Sequence, residues 1–309
     1  MSSRRTIVER TIKLQNTGRT PVRILGPRIG LSDILTYDIS LSKPDDPSVS
    51  EWGFERVRRP DGGWVVPTEP HLPTWEEVDA YQVPKPDLAR RFARMPEARK
   101  AVGDRYCLAR FGLSGHATYI ALRGAVLGWE DCLRDTERFR ELSEHIMNFE
   151  TELFSSLKDL NFQGVEFTDM WSSIPGQMMR VPLWKRVLGD LYQQQIEAAQ
   201  NFGLDVWFSI PKCDNYFFGV LVSLGVQVLT IEHTELTEVS KIGNELHGKV
   251  CFATRVDKLY DKDDLEESER RIRDVYECLR AIDGGFIATI GANAKQDEIV
   301  GISQIVKKL

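Results

Sequence analysis

From about residue 105 onward, short apolar runs alternate with amphipathic helical segments, and this alternation limits the fold more than any other feature of the chain. Strands that are buried on both faces and are each followed by a helix form parallel sheets covered by helices. The sequence therefore predicts at least five β/α units between residues 105 and 309. The predicted strands are YCLARFGL, GVEFTDMW, LDVWFSI, VQVLTI, KVCFAT and GFIATIG.

Between these runs, apolar side chains recur at intervals of three and four residues, which predicts helices with one buried face. Proline is tolerated in the first turn of a helix and glycine commonly follows the last turn, so a helix is predicted from Pro182 to Gly203. The predicted helices cover residues 139–157, 182–203, 216–224 and 236–244, a segment that begins at Asp264, and the end of the chain.

Both an open, doubly wound sheet and a closed eight-stranded barrel fit that alternation. The glycine-rich GxGxxG turn that binds dinucleotides follows none of the predicted strands. This favours an α/β fold of the TIM (β/α)8 barrel type. The GxSxG, HExxH and P-loop motifs are also missing from the sequence, which argues against serine hydrolase, zinc protease and kinase chemistry.

The first 104 residues are predicted to form an N-terminal arm with a β-hairpin, together with the first barrel elements, and residues 1–309 are predicted to form a single barrel domain. An opening helix is expected at residues 3–16. Residues 61–63, Asp-Gly-Gly, predict a hairpin turn between two strands that contain aromatic residues. The proline-rich segment 67–95 is expected to lie on the outside of the core.

Polar residues cluster where the predicted strands end. In a TIM barrel the active site lies at the carboxyl ends of the strands and in the loops after them. Six successive strand ends carry ionisable or hydrogen-bonding groups, and this clustering predicts a site there. The residues are, in chain order, Ser114-Gly115-His116, Asp169, Cys213-Asp214-Asn215, Glu232-His233, Arg255 with Asp257, and Asn293.

Several of these residues also have a purely structural interpretation. Asp169 fits a turn or a helix cap, and His116, which follows a glycine, fits a solvent-facing loop. Arg255 and Asp257 are two residues apart on an extended segment, so their side chains point the same way. They form either a structural ion pair or a polar anchor for a substrate.

Cys213 and His233 follow neighbouring predicted strands and have the side-chain types that bind zinc. A catalytic zinc needs three protein ligands, and a third is not evident, although Glu232 or Asp214 can serve. The alternative is that Cys213 packs as a small hydrophobe. The five cysteines show no CxxC spacing, which argues against a disulfide framework.

Composition and charge argue against several partners. With 42% hydrophobic and 28% charged residues, the sequence is typical of a globular protein. A net charge of -6 without a basic stripe argues against nucleic acid as a partner. No stretch approaches the ~20 apolar residues that cross a bilayer, and the first residues lack the apolar segment of a signal peptide. A cytoplasmic location without membrane contact is therefore predicted.

Several stretches match the motifs of one family in the same order along most of the chain. RRTIVERTIKLQNTGRTPVRI is similar to an opening helix and R-x-P-V strand, SEWGFERVRRPDGGW to a D-E-W/F-G hairpin, and YIALRGAVLGWEDCL to an LRG-(F/W)-E helix. EFTDMW stands in the place of GDDLG, CDN of H-x-C-G-N, VCFATRVD of FxGGxD, and GGFIATIGANAKQDEIVGI of a closing GGY…P.EN strand and helix. By these motifs the chain resembles the uroporphyrinogen decarboxylase-like superfamily, and within it the corrinoid-linked methyltransferase-like branch.

The resemblance implies a TIM barrel with its site at the C-terminal mouth, but two family features are changed here. Zinc-dependent members bind metal through an H-x-C pair and a later cysteine, where this chain has Pro211-Lys212-Cys213 and Ala292, so two of the three ligands are missing. GPRIGLSDI also matches poorly the RQAGRY segment whose arginines hold substrate carboxylates in uroporphyrinogen decarboxylases. Porphyrinogen decarboxylation is therefore disfavoured.

The resemblance implies a methyltransferase that moves a methyl group between a small methylated substrate and a corrinoid protein, which is a separate partner, or another acceptor. A cofactor-independent decarboxylase or lyase, and a homologue that binds a ligand without chemistry, remain alternatives. The expected catalytic residues are Asp169 and His116, the expected substrate-binding residues are Arg255, Asp257, Asn215, Glu232 and Asn293, and the metal ligands, if zinc binds, are Cys213 and His233.

Overall fold

Eight parallel strands pair into a closed ring in the computed structural model, which describes residues 2–26, 29–58, 64–65, 69–171, 179–210, 215–232, 235–280 and 282–309. The predicted TIM (β/α)8 barrel is confirmed. The strands are β1 (Val22–Ile24), β2 (Ile34–Asp38), β3 (Val57–Arg58), β4 (Trp64–Val65), β5 (Tyr106–Arg110), β6 (Gly164–Thr168), β7 (Asp205–Ser209), β8 (Val228–Ile231), β9 (Cys251–Arg255) and β10 (Phe286–Ile290). All except β3 and β4 belong to the ring, which runs from β1 through β2 and β5 to β10 and back to β1.

Helices cover the outside of the ring, as the parallel strand order requires. They are α1 (Arg4–Ile12), α2 (Trp75–Ala80), α3 (Leu88–Arg91), α4 (Met95–Val102), α5 (Gly115–Arg123), α6 (Ala125–Arg134), α7 (Thr136–Glu152), α8 (Phe154–Asp159), α9 (Val181–Val187), α10 (Gly189–Asn201), α11 (Asn215–Ser223), α12 (Leu236–Leu246), α13 (Leu265–Leu279) and α14 (Gln296–Val306). In the described ranges, no helix combines the length and the apolar character needed to cross a membrane.

Two helices predicted as continuous are each interrupted once. The segment 139–157 is divided at Leu153, between α7 and α8, and the segment 182–203 at Leu188, between α9 and α10. Both leucines are fully buried, so the apolar period continues through each break and the sequence pattern does not reveal it. The opening helix is also shorter than predicted, because it ends at Ile12 and Leu14 adopts a left-handed backbone conformation.

The N-terminal hundred residues contain the predicted hairpin and more of the core than expected. β3 and β4 pair antiparallel, and the predicted turn at residues 61–63 lies outside the described residues. The segment 67–95 was expected on the outside, but Leu72 and Phe92 are buried in the core. Below the ring, α1 packs its apolar side against the interior of the barrel at the N-terminal end of the strands.

A buried ion pair crosses the interior of the barrel from β1 to β6. Arg23 donates to both carboxylate oxygens of Glu166, with an Nη1–Oε1 distance of 2.9 Å, and the two side chains are 1% and 2% exposed. Thr36 accepts a hydrogen bond from Arg23 Nε, and Thr230 donates one to Glu166. Burial acts to raise the pKa of Glu166, but the charge and hydrogen bonds of Arg23 outweigh it and hold that pKa below its ordinary value.

The Arg23–Glu166 pair gives a test of the interior. Glu166→Met leaves the Arg23 charge buried without a counter-charge and is expected to lower the free energy of unfolding by about 3–5 kcal/mol. The double variant Arg23→Met/Glu166→Met is expected to be more stable than the single one, because both charges are then gone. Urea unfolding measures both, with Arg273→Met on the exposed face of α13 as a nearly neutral control. Equal stability of the single variant and the wild type would contradict the pairing.

Candidate functional site

The inward side chains at the carboxyl end of the barrel form three layers. In an eight-stranded parallel barrel, each layer takes one residue from every second strand, and the pairing register assigns the members here. The mouth layer is Leu25, Arg110, Ser209 and Arg255; the floor layer beneath it is Thr36, Glu166, Thr230 and Thr289; the rim layer above it is Asp38, Thr168, Glu232 and Gly291. The hydrogen bond between Thr230 and Glu166 agrees with a shared floor layer.

The structure brings three predicted site residues together at this mouth. Arg255, the last residue of β9, donates from Nε and Nη2 to the two oxygens of Asp257, each at 2.8 Å. Glu232 Oε1 lies 3.8 Å from Arg255 Nη1, and Lys258 Nζ lies 3.3 Å from Glu232 Oε2. Arg255 and Asp257 are only 21% and 16% exposed, whereas Glu232 is 45% exposed and faces the opening. The group therefore combines a fixed cation with a more accessible carboxylate.

A glycine at the end of β10 makes room for the Arg255 guanidinium. A Cβ atom at Gly291 would lie 2.2 Å from Arg255 Nη2 and 2.8 Å from Asp257 Oδ2, which no real side chain can do without displacing them. The backbone of Gly291 does not need the left-handed region. Gly291 is therefore required by the close approach of the arginine and not by its own conformation.

Arg110 and Asp38 belong to the same site, although the strand-end pattern did not identify them. Arg110 ends β5, which lies opposite β9 in the ring, so Arg110 and Arg255 face each other across the mouth layer. Asp38 Oδ2 lies 3.6 Å from Arg110 Nη2, and both side chains are partly exposed. In the sequence, Arg110 is a charged residue inside an apolar run. It lies two residues after Leu108 and four after Tyr106, both of which face the interior, so its side chain faces the interior as well.

Asp169, predicted to be catalytic, is buried behind the barrel wall. Because Thr168 faces the interior, the next residue along the chain points outward between the sheet and the helices. The Asp169 carboxylate accepts backbone N–H groups of Ala117 and Met170, each at 2.7 Å, and side-chain bonds from Trp171 and Tyr192. Burial raises its pKa to about 6. These contacts join β6 to α5 and α10, which is a positioning role, and direct catalysis by Asp169 stays a prediction.

His116, the other predicted catalytic residue, lies beside Asp169 in the same buried region. Its ring packs on Tyr119 and Phe139 and is 2% exposed, and its backbone N–H donates to Tyr192 Oη. Burial lowers the pKa of His116 to about 4, so the ring is neutral near pH 7. The solvent-facing loop interpretation is wrong, because His116 lies in the first turn of the buried helix α5. Its catalytic role also stays a prediction.

Glu150 is a buried acid of this region that the sequence analysis missed. It lies on the inner face of α7, is 1% exposed, and accepts hydrogen bonds from the Gly115 backbone and from Gln195 Nε2. Burial raises its pKa to about 8. Gln195 Oε1 has no partner among the described residues, so a flipped amide can accept a hydrogen bond from protonated Glu150. The pattern of α7 does not distinguish this acid from the surface acids of the same helix.

The remaining predicted residues are not brought into the described site. Asn293 is exposed in the turn after β10. Asn215 begins α11, and its side chain lies outside the described part of the chain, as do Cys213 and His233. Among the described residues, no group of three His, Cys, Asp or Glu side chains has the arrangement of a metal site. Zinc binding by Cys213 and His233 therefore stays a prediction.

Replacement of Gly291 tests how tightly the mouth is built around Arg255. Gly291→Ala is expected to lower the free energy of unfolding by about 1–3 kcal/mol because the methyl group displaces the guanidinium. Adding Arg255→Ala should recover most of that loss, since the displaced group is then absent. Urea unfolding reports both values, and Gly30→Ala, where a Cβ meets open space, is the matched control. A Gly291→Ala variant as stable as the control would contradict the close packing.

The raised pKa of Glu150 predicts a pH dependence of stability. A carboxyl whose pKa in the folded state, about 8, exceeds its ordinary value of 4.5 makes folding most favourable below pH 4.5, and this contribution is lost as the pH rises through 8. The urea midpoint of the wild type should therefore fall between pH 5 and about pH 8.5. Glu150→Gln should reduce that slope, whereas Glu144→Gln on the exposed side of α7 should keep it. An unchanged slope in Glu150→Gln would exclude Glu150 as its cause.

Comparison with known proteins supports the fold and gives no family. No protein-family model matches the chain, and no curated protein matches it in sequence. Over 100% of this chain and 99% of the other, the fold is similar to that of a methyltransferase from Methanosarcina mazei, with a TM-score of 0.72 and 11% identity. A B12-independent methionine synthase from Shewanella sp. W3-18-1 aligns with 69% of this chain and 64% of its own length, with a TM-score of 0.42 and 9% identity. At these identities the likeness shows the barrel fold alone.

Proposed function

We propose that the protein is a cytoplasmic methyltransferase that moves a methyl group between a small methylated substrate, held at the barrel mouth, and a corrinoid carried by a partner protein. The observation that carries the proposal is the charged cluster of Arg255, Asp257 and Glu232, which lies where TIM barrels place their chemistry. Further support comes from the motif order of the sequence and from the whole-length likeness to a barrel described as a methyltransferase.

The proposed chemistry requires the protein to orient the substrate and requires a proton to reach the departing heteroatom. When bound, the corrinoid supplies the nucleophile for the methyl group. The bond between methyl and the substrate heteroatom breaks, and the heteroatom keeps the electron pair and takes up a proton. Arg255, fixed by Asp257, orients the substrate, Glu232 is the accessible carboxylate at the rim that can bind it, and the heteroatom takes its proton from solvent at the opening.

Under this proposal Asp169 and His116 have an indirect role. The carboxylate of Asp169 already accepts four hydrogen bonds behind the wall, so it would have to break them to reach a substrate. Neutral His116 is enclosed by aromatic rings. We therefore assign both to positioning the end of β6, next to the mouth.

A cofactor-independent decarboxylase or lyase on the same barrel is the second candidate. The observation that favours it is the placement of Arg110 and Arg255 on opposite strands of one layer, because fixed cations can hold a carboxylate and stabilise negative charge as it develops. Release of carbon dioxide from a small acid, without any change in an added corrinoid, would favour this candidate over methyl transfer.

Methyl transfer is tested by mixing the protein with a candidate corrinoid protein and a panel of methylated alcohols, amines and methoxy compounds. The expected result is a substrate-dependent change in the visible spectrum as cobalt is alkylated. Arg255→Ala should slow the change at least about tenfold, equivalent to ~1.4 kcal/mol, because the substrate loses its anchor. Arg273→Ala on the outside of α13 should leave the rate unchanged. No spectral change across the panel would contradict the proposal.

A further inference from the structure

Two buried polar atoms in the barrel mouth have no partner among the described residues. They are Nε of Arg110 and Oγ1 of Thr289. Arg110 belongs to the mouth layer and Thr289 to the floor layer directly beneath it, so both side chains face the same interior space. Thr289 is 1% exposed. Because buried polar groups are almost always hydrogen-bonded, these two atoms are suited to a partner that the described residues do not supply.

The three inward arginines of the described strands differ in the use of their donors. Arg23 is forked onto Glu166 and Arg255 onto Asp257. The guanidinium of Arg110 makes no hydrogen bond to any described residue, and its contact with Asp38 is a 3.6 Å approach between partly exposed side chains. A guanidinium with unused donors is suited to planar, two-pronged recognition of a carboxylate or phosphate. Arg110 is therefore an arginine of the mouth whose side-chain donors are free of hydrogen bonds to the described residues.

The charges of the three layers predict how an anionic ligand is oriented in the mouth. Donors lie in the mouth and floor layers, where Ser209 on β7 adds a partly buried serine between the strands of the two arginines. The carboxylate of the floor layer, Glu166, is already paired with Arg23. Carboxylates lie above them, at Asp38 and Glu232 in the rim layer. A negative group is stabilised inside the mouth and repelled at the rim, so an anionic ligand enters with its charged end first and keeps its uncharged end at the opening.

We propose that Arg110, Ser209 and Thr289 form an oxyanion subsite for the carboxylate of a small organic acid, whose other end points out of the barrel. That the outward end carries the methyl group rests on the proposed function. The binding of the carboxylate is independent of it. The subsite thus names the substrate class of the mouth as small carboxylic acids. It also places the methyl group where a partner protein can reach it.

The experiment measures binding in the absence of any corrinoid. Acetate, methoxyacetate and benzoate are titrated into the protein at constant ionic strength, with calorimetry and the melting temperature as readouts, and acetamide, methoxyacetamide and benzamide are the neutral matched ligands. At least one carboxylate is expected to bind saturably and to raise the melting temperature, and its amide is not. Inorganic phosphate is titrated in parallel to separate the two oxyanion classes.

Two variants and one matched control locate the subsite. Arg110→Gln and Thr289→Val are each expected to weaken carboxylate binding at least tenfold. Thr289→Val replaces a buried hydroxyl that has no partner, so it should fold at least as well as the wild type. Thr254→Val is the control, because Thr254 Oγ1 is equally buried and unpartnered but lies on the outer face of β9, and its binding should equal that of the wild type.

The outcomes separate this inference from the proposed function. Binding of no carboxylate, equal binding of the amides, binding of phosphate alone, or full binding by Thr289→Val would each overturn the oxyanion subsite. Carboxylate binding that is lost in Thr289→Val establishes it, whether or not the corrinoid assay shows methyl transfer. Methyl transfer from an uncharged substrate, with no carboxylate bound, would support the proposed function and overturn the subsite.

Discussion

The closure of eight strands into one ring makes every second residue of each strand an interior residue. In this protein some of those interior residues are charged. Arg23 and Glu166 meet across the barrel, and Thr36 and Thr230 complete their hydrogen bonds. An ion pair buried this deeply is held by its geometry, because either charge alone would be strongly unfavourable there. These hydrogen bonds hold those side chains of the floor layer in place without a ligand. The mouth layer lies directly above them.

How much of the fold could be predicted depended on where each strand carries its apolar residues. The strands β5 to β10 are apolar on both faces or nearly so, and their runs were identified from the sequence. In β1 and β2 the inward positions include Arg23, Thr36 and Asp38, and Ile34 is the apolar residue among them, so the inward face is mostly polar. A short strand with a polar interior face does not differ from a loop in the sequence, and β2 was not predicted for that reason.

The candidate site was predictable in part. The sequence shows where each strand ends, but it does not show which residues at that end face the interior of the barrel. Arg255 and Asp257 were identified because they follow an apolar run, and the structure joins them at the mouth. The same rule selected Asp169. The interior residue of that strand end is Thr168, however, and because side chains alternate between the two faces, Asp169 lies behind the barrel wall. Arg110 was overlooked because it is the last residue inside a run. Knowing which positions face inward requires the pairing register, which the sequence alone does not give.

The two mouth-layer arginines are like charges at one height, and their different surroundings decide what each can do. Arg255 is neutralised by Asp257 and confined by Gly291, so it is a fixed wall of the site. Arg110 lies 3.6 Å from the partly exposed carboxylate of Asp38, and its guanidinium makes no hydrogen bond to a described residue. A carboxylate brought between them would attract both cations, and the guanidinium of Arg110, which binds no described residue, would supply hydrogen bonds to it. An uncharged ligand would gain far less, because it cannot compensate the desolvation of the guanidinium as the mouth fills. The asymmetry between the two arginines thus favours an acid over its neutral analogue.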